Sequence, residues 1–196
     1  ADEAFGFDRA AGNAGPVINL SYSVYPAFSP FDVVAPSFPW LELARDGFHL
    51  ARRARAGALG LVPDRISLGE GRRVAPAAGF PGRSAYDAVR VPLYMMPVGH
   101  TPPHLRSFDR AWNMTGDGRP LGYDLRADRV RRRMRDAGYE LVAALVACGR
   151  RGAGVPVGLT RFRATTYFAS TLHLLSLSAL RRHHPACLPA DAADAP

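Results

Sequence analysis

The chain has 196 residues, 47% apolar and 21% charged, a globular composition that excludes a disordered chain and suffices for one domain. Its formal net charge is +8, all 25 Lys+Arg positions are arginine, and only two cysteines are present. No apolar run approaches the ~20 residues of a membrane span, since the longest, residues 169–180, is broken by Ser170, Thr171, His173, Ser176 and Ser178.

Residues 1–16 are rich in Gly, Ala and Asp and read as a loop entering the fold. A short helix is predicted over 26–35, punctuated by Pro26, Pro30 and Pro36. Ser37 and Pro39 then read as the N-cap and first turn of a second helix. Leu41, Ala44, Phe48 and Ala51 follow at helical spacing, and Gly57 and Gly60 close it. Residues 65–68 and 72–75 flank Gly69-Glu70-Gly71, a two-stranded hairpin signal. Ser84 is read as the start of a third helix through Ala85, Val89, Leu93 and Met96, with Pro92 inside it as a kink. Pro102-Pro103 opens a fourth through Leu105, Phe108 and Trp112, followed by a turn-rich loop at 116–120. Helices are predicted over 133–148 and 164–181, and residues 191–196 as a frayed tail. About six helices and one hairpin imply helices packed on helices, an all-α class.

The arginine-rich run 129–135 has no aromatic until Tyr139 and is read as opening a solvated helix face rather than a nucleic-acid site, which interleaves charge with stacking rings. Arginine without lysine, beside abundant Ala and Gly, reads as a compositional bias; no nucleic-acid partner is assigned. Cys148 and Cys187 fit no metal spacing, and either form one disulfide or lie as two buried thiols. No HExxH or paired His/Cys set occurs, so no metal and no other cofactor is expected.

Two segments could carry chemistry. In Ser84-Ala85-Tyr86-Asp87-Ala88-Val89-Arg90-Val91-Pro92, a helical reading makes Asp87 and Arg90 neighbours, with the Tyr86 phenol beside them. In Asn19-Leu20-Ser21-Tyr22, amide and hydroxyl groups precede Phe28, Phe31, Phe38 and Trp40, a mixture suited to sugar faces and hydroxyls. The bland alternatives are an exposed helix-start ion pair for the first and simple core for the four later rings.

In this order the two segments resemble glycoside hydrolase family 8. The family's Asn-x-Ser-Tyr matches residues 19–22, its Tyr-Asp-Ala-x-Arg-x-Pro matches residues 86–92, and residues 165–175 resemble its terminal helix. The likeness runs over roughly residues 5–187. It implies an (α/α)6 barrel, secreted or periplasmic, that hydrolyses β-1,4-glucan with inversion. It further implies that Asp87 is the general base, positioned by Tyr86 and Arg90, and that Asn19, Tyr22 and Trp40 bind substrate. Inversion places a water between two carboxyl groups.

The chain departs from the pattern at the general acid. The family's glutamate sits in a Glu-Gly-x-Ser-Tyr-Gly type context, and a further carboxylate in Ser-Asp-Gly-Asp; neither is present. The glutamates Glu3, Glu42, Glu70 and Glu140 lie in other contexts. A six-hairpin barrel also needs nearly twice this length. The expectation is therefore that residues 1–190 form the C-terminal half of a barrel with a small hairpin insertion, its partners a glucan and an N-terminal half. Alone, the chain is expected to be inactive. The alternative is a half-barrel that binds glucan or a partner without turnover. The start at Ala1 is read as a removed leader or an entry inside a longer protein.

Overall fold

The computed structural model describes residues 12–98, 105–114 and 116–190. Among these residues six helices are connected by short strands: α1 (Tyr25–Val34), α2 (Trp40–Arg53), α3 (Arg90–Met95), α4 (Leu105–Asn113), α5 (Ala137–Arg151) and α6 (Tyr167–His183). The helix-rich character agrees with the sequence reading, and the strand content exceeds the small hairpin insertion expected. In place of one hairpin there are two three-stranded antiparallel sheets. One has the order β1 (Val17–Ile18), β2 (Ile66–Leu68), β3 (Val74–Pro76); the other β4 (Arg83–Ser84), β5 (Leu121–Asp124), β6 (Arg129–Arg133).

Three further differences have local causes. Ser84 lies in β4, and residues 85–89 form a turn, so α3 starts only at Arg90. Pro92 consequently falls in the first turn of α3, where its missing N–H leaves no helical bond unmade. The arginine run is solvated as expected, but as strand β6: Asp124 accepts from the N–H groups of Arg126 (3.1 Å) and Ala127 (3.0 Å), folding the chain back onto β5. Asp128 takes the left-handed conformation in that turn (φ 46°), which Asp tolerates better than most residues. Finally, Ser37 does not cap α2, whose N-cap is Pro39. That helix ends at Arg53, and Gly57 and Gly60 serve a separate turn closed by an Ala56–Leu61 bridge. The Pro102-Pro103 pair, Glu3 and the tail at 191–196 lie outside the described residues.

The core centres on α5, which packs against α3, α4 and α6 and buries Leu141, Val142, Leu145 and Val146. Asp136 caps its N-terminus by accepting from Gly138 N–H, and Gly152 ends it in the left-handed conformation, φ 66°. Gly138 is where α5 and α6 come closest: a Cβ there would collide with the Ala169 carbonyl oxygen. His173 on α6 is fully buried, its Nδ1 accepting from Arg163 N–H at 3.3 Å. Nε2 therefore donates, and it meets the Leu159 carbonyl at 3.0 Å. The loop at 157–163 is pinned to α6 by these two bonds. Near the C-terminal end of α5, Cys148 is joined to Cys187 by a disulfide, and Val155 N–H donates to the Cys187 carbonyl at 2.8 Å.

Candidate active site

The two sheets bring distant segments to one place. In the first, Val17 pairs with Ser67 and Ile18 with Ile66, so the next residues along the register are Asn19 and Arg65. In the second, β4 delivers the chain into the turn that carries Tyr86 and Asp87.

Asp64 builds that turn. It is buried (5% exposed), and its Oδ1 accepts from the N–H groups of Ala85 (2.8 Å) and Ala88 (3.0 Å). Its Oδ2 accepts from Arg83 Nε at 3.0 Å. The following residue, Arg65, reaches the carboxylate of Asp87 directly through Nη1. One dipeptide thus fixes both the backbone and the side chain of the turn. Removing the acid leaves two buried N–H donors without an acceptor, each costing about 1–3 kcal/mol. Asp64→Ala is expected to destabilise the fold by about 2–4 kcal/mol in urea unfolding, with Asp64→Asn recovering part of it. A loss below about 0.5 kcal/mol, the size of an ordinary surface change, would contradict this role.

Asp87 is held on both oxygens: Oδ2 accepts from Arg65 Nη1 and Oδ1 from Arg90 Nη2. Its side chain is still 24% exposed, so one edge faces solvent. The Arg90 guanidinium lies between two rings, 5.8 Å from the centroid of Tyr22 and 5.5 Å from that of Phe168. Such cation–π contacts hold the charge in place without competing for the carboxylate. The ring series continues from Phe168 to Tyr139 (6.1 Å) and from Tyr139 to Tyr86 (6.2 Å). Burial, with the neighbouring Tyr86 second, pushes the Tyr139 phenol up to about 12. The Tyr86 hydroxyl accepts from Arg132 Nη1, whose guanidinium also lies over the Tyr86 ring.

Of the residues singled out in the sequence, Tyr86, Asp87, Arg90 and Tyr22 come together in this cluster. Asn19 stands beside it at the end of β1. Its Oδ1 accepts from Ser21 N–H (3.0 Å) and Ser21 Oγ (2.7 Å). Its Nδ2 is buried and finds no partner among the described residues. Trp40 belongs to a different cluster, with Phe38 at 4.4 Å, Phe31 at 4.9 Å and Phe28 at 6.0 Å, and its indole N–H donates to the Ala35 carbonyl. Asp64 and Arg65 were not anticipated as site residues; Arg65 was read only as the start of a strand. Arg65 lies 22 positions from Asp87, and nothing local in the sequence signals their pairing.

The arrangement offers a rigid carboxylate acceptor, open on one edge and flanked by phenol and aromatic surface. Glu140 is engaged by Arg119 Nε at 2.7 Å, Glu42 lies in the first turn of α2, and Glu70 in the turn between β2 and β3. Among the described residues no group of three or more His, Cys, Asp or Glu could hold a metal ion, and no helix is long and apolar enough to cross a membrane.

Comparison with known proteins places this geometry in a family context. The family profile described as "Glycosyl hydrolases family 8" matches residues 6–182. A curated protein of Novacetimonas hansenii named "Probable endoglucanase" is 36% identical over 103 residues, 51% of this chain and 30% of that protein. Among solved structures, an endo-β-1,4-glucanase from Acetobacter xylinum superposes with a TM-score of 0.73 at 26% identity, covering 92% of this chain and 60% of that one. An endoglucanase from Komagataeibacter sucrofermentans gives a TM-score of 0.71 at 28% identity, covering 86% and 52% respectively. The chain therefore spans little more than half the length of these solved relatives.

Proposed function

We propose, for a chain that belongs to glycosyl hydrolases family 8, that it is the base-bearing C-terminal half of an inverting endo-β-1,4-glucanase. The observation that carries this reading is Asp87, clamped by Arg65 and Arg90 on a turn built by Asp64, with one edge open to solvent. In the proposed reaction a water bound at that edge gives its proton to Asp87. Its oxygen attacks the anomeric carbon on the face opposite the leaving oxygen. A protonated carboxyl group from the N-terminal half gives its proton to that leaving oxygen, at a separation of about 6.5–9.5 Å from the base. Arg65 and Arg90 hold the base, while Asn19 and Tyr22 supply sugar contacts. The half-exposed Tyr22 ring and the unmet Asn19 Nδ2 suit a sugar face and a hydroxyl.

Completion by an N-terminal half is supported by the coverage of the solved relatives and by apolar side chains left in solvent: Val33, Val34 and Leu41 at one end, Tyr167 and Leu174 on α6. Of the three described glutamates, Glu140 is paired with Arg119, Glu42 starts α2 and Glu70 lies in the β2–β3 turn, and none has the sequence context of the family's acid, which favours an acid supplied from outside this chain. The same observation favours, as a second reading, a half-barrel that binds glucan or a partner without turnover. A periplasmic or secreted location is supported by the disulfide, which persists in oxidising compartments. The test is hydrolysis of a soluble β-1,4-glucan by the completed barrel, with the anomer of the released sugar read directly.

A further inference from the structure

Next to the Asp87 cluster lies a groove of about 490 Å³ that the reaction does not use. Its walls carry Arg83, Arg126, Arg131 and Arg132, with Phe80 and Tyr86 as aromatic surface. Arg83 is paired with Asp64, and Arg131 lies 3.5 Å from Asp124. Arg126 and Arg132 have no carboxylate partner among the described residues; the Arg132 bond is to the Tyr86 hydroxyl. The groove therefore keeps a positive excess.

These two arginines are seated by glycines. A Cβ at Gly122 would lie 2.7 Å from Arg132 Cγ, and one at Gly82 would lie 3.1 Å from Arg126 Nε. Each arginine stem lies across bare backbone, so the placement of its guanidinium depends on a residue without a side chain. Gly82 precedes β4 and Gly122 lies within the adjoining β5, since Arg83 pairs with Asp124 and Ser84 with Tyr123. The carboxylate of Asp124 does not neutralise the pair. It accepts from the backbone N–H groups of Arg126 and Ala127 and faces Arg131, so its charge is engaged there rather than on the Arg126 and Arg132 guanidiniums.

From this geometry we infer that the groove binds anionic substituents, carboxylates in particular, on a β-glucan chain continuing past the catalytic cleft. Guanidinium groups recognise a carboxylate through paired hydrogen bonds. Phe80 and Tyr86 give the sugar backbone a surface to stack on, and Tyr86 is shared with the Asp87 site. The inference deepens the glucanase reading and rests on it: the substrate class becomes an acidic β-glucan rather than a neutral one.

The test is affinity electrophoresis of the 196-residue chain in gels containing carboxymethylcellulose or hydroxyethylcellulose, with Arg126→Gln as the variant. Arg126 is exposed and touches none of the groups around Asp87. The wild-type chain should bind the carboxylated polymer more tightly than the neutral one. Arg126→Gln should weaken binding to the carboxylated polymer by about 5–10-fold, the scale of one net hydrogen-bonded contact at a solvent-exposed site, and leave binding to the neutral polymer unchanged. Equal affinity for both polymers, or no effect of the variant, would overturn the groove assignment while leaving the glucanase reading intact. Failure to bind either polymer would overturn both. Binding of single-stranded DNA as tight as that of carboxymethylcellulose, with the same Arg126 dependence, would assign the groove to polyanions at large and overturn its role as a glucan site.

Discussion

Asp87→Asn in the completed barrel is expected to lower turnover of soluble β-1,4-glucan by about 10²–10⁴-fold, the contribution of a positioned general base. Glucan affinity should stay within a few-fold of wild type. The substitution is nearly isosteric, so the turn built by Asp64 stays in place. What changes is the proton inventory: the amide cannot take a proton from water, and its NH2 group faces a guanidinium that is also a donor. One of the two arginine bonds is therefore lost, which costs about 1–3 kcal/mol locally. A melting curve recorded beside the kinetics separates that cost from the chemistry. Turnover within about three-fold of wild type, in a folded variant, would remove Asp87 from the role of base.

The second large effect is on stability. Cys148 and Cys187 close a loop with a sequence separation of 39. In the chain-entropy account such a link stabilises the fold by about 4 kcal/mol. For a chain of this size, 1 kcal/mol moves Tm by about 2–4 °C. The double variant Cys148→Ala/Cys187→Ala, or the reduced wild type, should therefore melt about 8–16 °C lower. The link joins the end of α5 to the segment after α6, and Val155 and Cys187 share a backbone bond beside it. Because α5 is the centre of the core and α6 carries Phe168 against Arg90, loosening this corner also loosens the site. A shift below about 2 °C would show that α5 and α6 hold together without the bond.

The helices were largely legible because each buries an apolar stripe at helical spacing. The stripe Leu141, Leu145 and Cys148 announces α5, and Leu172 with Ala179 announces α6. The same rule misled at residues 84–89. Ala85, Val89, Leu93 and Met96 have helical spacing and are all buried, yet the first two belong to a turn that Asp64 caps from the bend before β2. Strand β6 gave no alternation to read, because its side chains are mostly solvated on both faces. Its partner β5 and the Asp124 turn define it instead.

For the site, the local motif delivered Tyr86, Asp87 and Arg90 together, since three neighbours in sequence stay neighbours in space. Arg90 reaches Asp87 as anticipated, although from the start of a helix rather than along one. Asp64 and Arg65 were hidden because their partnership with the turn depends on how the two sheets are set. Trp40 shows the converse limit: an aromatic close in sequence to Asn19 and Tyr22 packs into its own ring cluster. The disulfide was one of two open states for the cysteines, and only the approach of α5 to the segment after α6 decides it.

The proposed function requires this chain to supply the base of an inverting reaction whose acid lies on an N-terminal half. Its most direct test is proton NMR of the first sugar released from a soluble β-1,4-linked oligosaccharide by the chain joined to that half. The new reducing end is expected to appear first as the α anomer, and the 196-residue chain alone to release none. Initial release of the β anomer, or turnover by the isolated chain, would contradict the proposed function.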